Sequence, residues 1–158
     1  MFVPLTIKDH LKRADLVYGN RIGIIDEPDQ PAQPMMDMTY GSFAAKAKAM
    51  AKGFEELGVA QQGRVAMVSH NASRMLTFLF GTAAWGRIGV PINFRLNHEE
   101  ISYIIEHSGA EVLIVDPELE DTLKEVKVKH FFCMGRDSDE VVFKAGEPSP
   151  WVPDEDAT

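Results

Sequence analysis

The sequence of 158 residues predicts an α/β fold with a mainly parallel sheet flanked by helices. Three observations predict it. Short apolar runs at residues 64–69, 89–92, 112–115 and 130–134 have the length and composition of strands. The segments between them carry apolar residues at three- and four-residue spacing, which is the period of an amphipathic helix. The two patterns alternate along the chain, and alternating strands and helices imply βαβ crossovers and a parallel sheet.

Residues 5–18 read as the first helix, with Thr6 as N-cap and Ile7, Leu11, Ala14 and Val17 (or Tyr18) on one face. Residues 22–26 form a short strand, 27–34 a proline-rich loop and 35–39 a partner strand, so 22–39 makes a hairpin-like arm. Thr39 caps the next helix, whose apolar stripe is Phe43, Ala47, Met50, Phe54 and Leu57. Gly58 ends it in a Schellman motif with Val59. The run Arg64–Ser69 suits a strand buried on both faces. Asn71 is placed to cap the following helix. Met75, Leu76, Leu79, Phe80, Ala83 and Ala84 recur at helical spacing, and Phe78 and Trp85 add apolar surface elsewhere, so this helix is expected to be covered nearly all round. Gly86 ends it, 89–92 is the next strand, and 93–96 leaves it as a polar loop.

Asn97, His98, Glu99 and Glu100 form a capping box. Ile101, Ile104 and Ile105 bury one helix face, and Gly109 stops the helix. After the buried strand Val112–Val115, Asp116 and Pro117 start another helix, with Leu119, Leu123 and Val126 inward. Residues 130–134 are a last strand. Residues 1–134 therefore read as one α/β subdomain. From Gly135 the pattern fades, and Pro148, Pro150, Pro153 and the acidic run 154–156 make 135–158 a linker.

Composition excludes several classes. A formal net charge of −8 opposes nonspecific binding to nucleic acid, where a basic face dominates affinity. The single cysteine, Cys133, cannot form an intrachain disulfide and fits a reducing compartment; it lies in an apolar run and reads as a buried small hydrophobe. Lys8, Asp9 and Lys12 come too early for a secretory apolar core. The apolar run 75–86 is too short for a bilayer span, which makes the cytoplasm the expected location. Neither G-x-x-x-x-G-K-[ST] nor G-x-G-x-x-G occurs. His98 and His107 fall on different helix faces, which opposes a shared metal. His70 and Asn71 stand where a strand meets a helix, the ligand-facing end of a parallel sheet; the cap reading of Asn71 explains them more simply. Asp116 likewise reads as a helix cap.

Two stretches carry a resemblance. GRIGVPINFRLNHEEISYIIEHSGAEVLIVD and MTYGSFAAKAKAMAKGFEELGVAQQGRVAMVSHNA resemble the early part of the AMP-forming acyl-CoA synthetases. These belong to the adenylate-forming superfamily, with luciferases and peptide-synthetase adenylation domains. The resemblance runs from about Leu5 to Thr158. It implies the first subdomain of the large N-terminal domain of such an enzyme, a ligase of fatty acid metabolism that uses ATP, Mg and CoA on a small carboxylic acid. In that family ATP is held by a Ser/Thr/Gly-rich loop ending in Lys, which begins beyond a linker like 147–158. An N-terminal fragment, inactive alone and needing no cofactor of its own, is the expectation. The family's N-x-R-L segment is Asn93, Phe94, Arg95 and Leu96 here, so Arg95 is the candidate contact for a CoA phosphate. A strand-end role, or pairing with Glu99 or Glu100, is the plainer alternative. The family further implies a homodimer through the N-terminal region. Two other functions stay open: an adenylating enzyme that loads a carrier protein, and a free-standing binding or receiver-like module with Asp116 as phosphoacceptor.

Overall fold

The computed structural model of the chain describes residues 5–151. Helix α1 (Ile7–Tyr18) precedes a two-stranded antiparallel arm, β1 (Ile22–Ile24) and β2 (Met38–Thr39). Then come α2 (Tyr40–Glu56), β3 (Arg64–Ser69), α3 (Ser73–Ala83), β4 (Ile88–Asn93), α4 (His98–Ser108) and β5 (Val112–Val115). A 3-10 turn (Pro117–Leu119), α5 (Glu120–Leu123), β6 (His130–Cys133) and α6 (Asp137–Val142) complete the described chain. The main sheet has the order β4-β3-β5-β6 with every pair parallel. The α/β class expected from the alternating pattern is the class observed.

Strand periodicity sorts the core into two layers. Val65 and Met67 point to one face, where Met50 and Phe54 of α2 and Phe78 of α3 meet them. Ala66 and Val68 point to the other, against Ile101 and Ile105 of α4 and Leu123 of α5. A third cluster joins α1 and the arm to α2 through Leu11, Met38, Phe43 and Trp85. Strand β4 lies at the edge, which is where Pro91 is tolerated within a strand.

Local punctuation follows the residues expected to carry it. Thr6 and Asn97 make capping boxes with Asp9 and Glu100, and the Thr39 hydroxyl accepts from Ser42 N. Gly58, Gly86 and Gly109 all take positive φ just past a helix. Each ending has the paired bonds of a Schellman motif, as where Val59 N donates to Phe54 O and Gly58 N to Glu55 O, both at 3.0 Å.

Five expectations need correction. Asn71 does not cap α3; Ala72 is the N-cap residue and offers no side-chain bond. The cap comes from the arm instead, where Asp26 Oδ1 accepts from Ser73 N at 3.0 Å. Second, α3 is not covered all round: Leu76 and Leu79 are 37% and 38% exposed. The inward face carries Thr77, Phe78, Gly81 and Thr82. It works because both threonine hydroxyls donate back to their own helix, to Ser73 O and Phe78 O at 2.8 Å. Gly81 lets α3 come close to α2, where a Cβ would stand 3.1 Å from Ala47 O and Met50 Cβ.

Third, the Asp116 side chain accepts no capping bond, and the helix it was expected to start is only a 3-10 turn and four residues of α5. Its carboxylate is engaged across the sheet, as described below. Fourth, α1 buries only Leu11, and Ile7, Val17 and Tyr18 stay exposed. The segment beyond Gly135 also has more structure than a linker. Val142 of α6 enters the core, and Lys144 N donates to Ala49 O at 3.0 Å. Arg74, buried in α3, grips Asp139 with both terminal nitrogens, at 2.6 and 3.1 Å. Pro153 and the acidic run 154–156 lie outside the described residues. No helix among the described residues is long and apolar enough to cross a membrane.

Candidate functional site at the carboxyl edge of the sheet

The chain leaves β3 toward β4 on one side, then returns past β3 to place β5 on the other. The gap between β3 and β5 is therefore the topological switch point, and ligands of open α/β sheets bind outside the carboxyl ends of such strands. Residues from three strand ends meet there: Ser69 and His70 after β3, Phe94 and Arg95 after β4, and Asp116 after β5.

Asp116 is 2% exposed and accepts three bonds. Ser69 Oγ donates to Oδ1 at 3.2 Å, His70 N donates to Oδ2 at 2.8 Å, and His70 Nδ1 lies 2.9 Å from Oδ2. A carboxylate beside Nδ1 selects the tautomer that carries its proton there. His70 Nε2 faces Glu118 Oε1 at 3.6 Å. The imidazole stacks on Phe94, with ring centroids 3.5 Å apart and planes 28° from parallel. The Arg95 guanidinium in turn lies 5.3 Å from the centroid of the same phenyl ring.

Arg95 is exposed, and among the described residues its guanidinium forms no ion pair. Glu100, one candidate partner, instead accepts from Asn97 N at 2.9 Å in the capping box. Beside Arg95 opens a cavity of about 450 Å³ lined by Ser69, Asn71, Met75, Leu79, Asn93 and Phe94, among others. A second cavity of about 620 Å³ adjoins it along α3, sharing Asn71, Met75 and Leu79 and reaching Asp26 and Ile25 of the arm. The exposed leucines of α3 thus line an open groove at the ligand-facing end of the sheet.

Asp26 sets the far wall. Its Oδ1 also accepts from Glu27 N at 3.0 Å, and its Oδ2 from Met35 N at 2.6 Å. Burial alone would raise its pKa, but bonds from Ser73 and Met35 outweigh that and hold it below the ordinary carboxylate value. Cys133 is buried as expected, and burial pushes its thiol up to about 11.

The arrangement suits binding more than bond-making. Asp116 is sealed by its own donors, so it offers no open carboxylate to a phosphoryl group, as a receiver-like module would need. No group of three or more His, Cys, Asp or Glu able to hold a metal occurs among the described residues. Of the residues singled out by sequence, Arg95 and His70 come together at one edge. Asn71 lines the cavity without capping anything, and His98 and Cys133 stand apart from the cluster. The Asp26–Ser73 and Asp116–His70 contacts escaped sequence reasoning because they span 47 and 46 residues.

Comparison with known proteins supplies a family. A family model described as AMP-binding enzyme matches residues 17–156. The chain is 34% identical over 89 residues to 4-hydroxybutyrate--CoA ligase 2 of Metallosphaera sedula, covering 56% of this chain and 16% of that protein. It is 31% identical over 135 residues to a long-chain-fatty-acid--CoA ligase of Thermus thermophilus, covering 82% of this chain and 24% of that protein. Among solved structures, the N-terminal domain of FACL13 from Mycobacterium tuberculosis superposes with a TM-score of 0.80 at 25% identity, over 97% of this chain and 40% of that one. The chain thus spans from 16% to 24% of the length of these two curated relatives.

Proposed function

The chain belongs to the AMP-binding enzyme family, and from that premise we propose that it works within an ATP-dependent, AMP-forming acyl-CoA ligase. The reaction joins a carboxylic acid to AMP with release of pyrophosphate, and CoA then displaces AMP to give the thioester. A fatty acid is the proposed substrate, supported by the similarity to fatty-acid ligases.

The observation that carries the reading is the family match across nearly the whole described chain, with Arg95 at the open carboxyl edge of the sheet. Within such an enzyme this chain supplies a scaffold and one wall of a cleft. Arg95 fits a CoA phosphate: an exposed guanidinium stays charged and can bond two phosphate oxygens in parallel. The residues present do not fit ATP or its Mg ion. Gly58, Gly86 and Gly109 have positive φ at helix ends rather than in a phosphate loop, and Gly135, in the turn between β6 and α6, leads into a six-residue helix whose first turn is acidic. Nucleotide and Mg are therefore assigned to other parts of the ligase. Cytoplasmic location is part of the same proposal, supported by the lone thiol of Cys133. So is a homodimer through the N-terminal region, supported by exposed Leu16 and Ile22; sedimentation as a monomer at high micromolar concentration would refute it.

The test is acid-dependent AMP release. The complete enzyme, given ATP and a series of fatty acids, should release AMP only when acid and CoA are both present and should form the thioester. ATP turnover indifferent to acid would overturn the reading.

A further inference from the structure

We infer that His70, oriented by Asp116, is a positioning residue that holds the Phe94 ring and, through it, presents the Arg95 guanidinium to phosphate. The inference rests on the reading of Arg95 as a CoA contact. The loop that carries Arg95 follows β4, an edge strand that among the described residues pairs with β3 alone. Arg95 N donates to Asn93 Oδ1 at 3.0 Å and Leu96 N to Asn93 O at 3.2 Å, which close the turn locally but do not tie it to the body.

Leu96 and Phe94 anchor the loop by packing against the core cluster of Ile92, Ile101 and Leu113, and the side of the Phe94 ring that carries Arg95 is set by a second ring. His70 lies against Phe94 at 3.5 Å between centroids, and Arg95 lies over the same phenyl. A half-buried imidazole at a strand end could turn away about its side-chain bonds. Here Nδ1 is held 2.9 Å from Asp116, whose carboxylate is itself fixed by Ser69 Oγ and His70 N. Glu118 faces Nε2 from the 3-10 turn at 3.6 Å and leaves the Nδ1 contact intact. The result is a path from a buried carboxylate to an exposed cation, built from the ends of β5, β3 and β4. A long flexible arginine loses rotamer freedom when it binds phosphate, and a ring that restricts it beforehand reduces that loss. His70 therefore acts on CoA through Arg95, without touching CoA itself.

A double-mutant cycle in the complete ligase tests this. KM for CoA and acid-dependent pyrophosphate exchange are measured for the parent, Arg95→Ala, His70→Ala, His70→Gln and His70→Ala with Arg95→Ala. His70→Gln keeps a donor for Asp116 and removes the ring, so it separates stacking from the stability of the buried carboxylate. Both His70 variants should raise KM for CoA roughly two- to tenfold, the factor carried by one aromatic pair, with the loss confined to CoA use. In the Arg95→Ala background, His70→Ala should add nothing. Parent-like KM in His70→Ala or His70→Gln, beside an impaired Arg95→Ala, overturns the inference and leaves the CoA reading standing. Additive losses, or an equal loss in pyrophosphate exchange, also overturn it. An unchanged KM in Arg95→Ala overturns both.

Discussion

Replacing Asp26 should unfasten the arm from α3. The carboxylate is 8% exposed and accepts from Ser73 N, Glu27 N and Met35 N, at 3.0, 3.0 and 2.6 Å. The first of these bonds is the side-chain cap of α3, supplied from outside the helix. Loss of a cap costs about 0.5–2 kcal/mol, and a buried donor left without a partner about 1–3 kcal/mol. The two other donors sit in a loop that can reach water after a small shift, so these figures do not simply add. Asp26→Ala should cost about 3–4 kcal/mol in all. Asp26→Asn keeps one acceptor for Ser73 but turns an amide toward Met35 N and removes the charge at the helix start; about 1–2 kcal/mol is expected. Urea unfolding followed by circular dichroism reads both. The pH dependence has a definite sign. The folded pKa of Asp26 lies below its unfolded value, so its contribution is present above the unfolded pKa of about 3.9 and is lost as pH falls through the folded pKa. The gap between the parent and Asp26→Asn should shrink in that acid window and stay constant from pH 5 to 7, roughly. A cost below about 1 kcal/mol for Asp26→Ala, or equal costs for Ala and Asn, would refute the capping argument.

Four other outcomes follow from the packing and the site. Gly53→Ala places a Cβ on the Val142 carbonyl oxygen; about 2–3 kcal/mol of destabilisation is expected, with faster proteolysis beyond α6. At Gly58, with φ +77° and open space around it, alanine should cost only about 1 kcal/mol, from backbone strain alone; equal melting temperatures for the two variants would contradict the close α2–α6 approach. Cys133, buried with its thiol pushed up to about 11, should react with thiol reagents at pH 8 only as fast as the protein opens, and prompt stoichiometric labelling would contradict its placement. Calorimetric titration of the 158-residue chain with Mg-ATP should show no saturable binding below the millimolar range, whereas a micromolar Kd would mean that a nucleotide site lies within it.

What the sequence made readable was local. Thr6, Thr39 and Asn97 cap helices through partners three residues away, and Gly58, Gly86 and Gly109 end them by their own conformation. Such signals need no knowledge of the sheet. The errors arose where a distant residue took over a local task. Asn71 is a good cap by type, but Asp26 reaches Ser73 first. Asp116 before Pro117 has the form of a helix start, yet its carboxylate is drawn to His70 by the parallel pairing of β3 with β5. On α3 the period was right and the inward face was not. Leucines facing a groove and leucines facing a core give the same periodic signal, while Thr77 and Thr82 become acceptable inside only by bonding their own helix. Arg95 was reached through resemblance to a family; the ring stack beneath it needed the sheet order.

The most direct test of the central claim is the kinetics of Arg95→Ala in the complete ligase, with the two half-reactions measured separately. A hydrogen bond to a charged group carries about 1.5–3 kcal/mol, so KM for CoA should rise roughly ten- to a hundredfold while pyrophosphate exchange stays near the parent rate. An unchanged KM for CoA, or a parallel fall in pyrophosphate exchange, would contradict the assignment of this edge of the sheet to CoA.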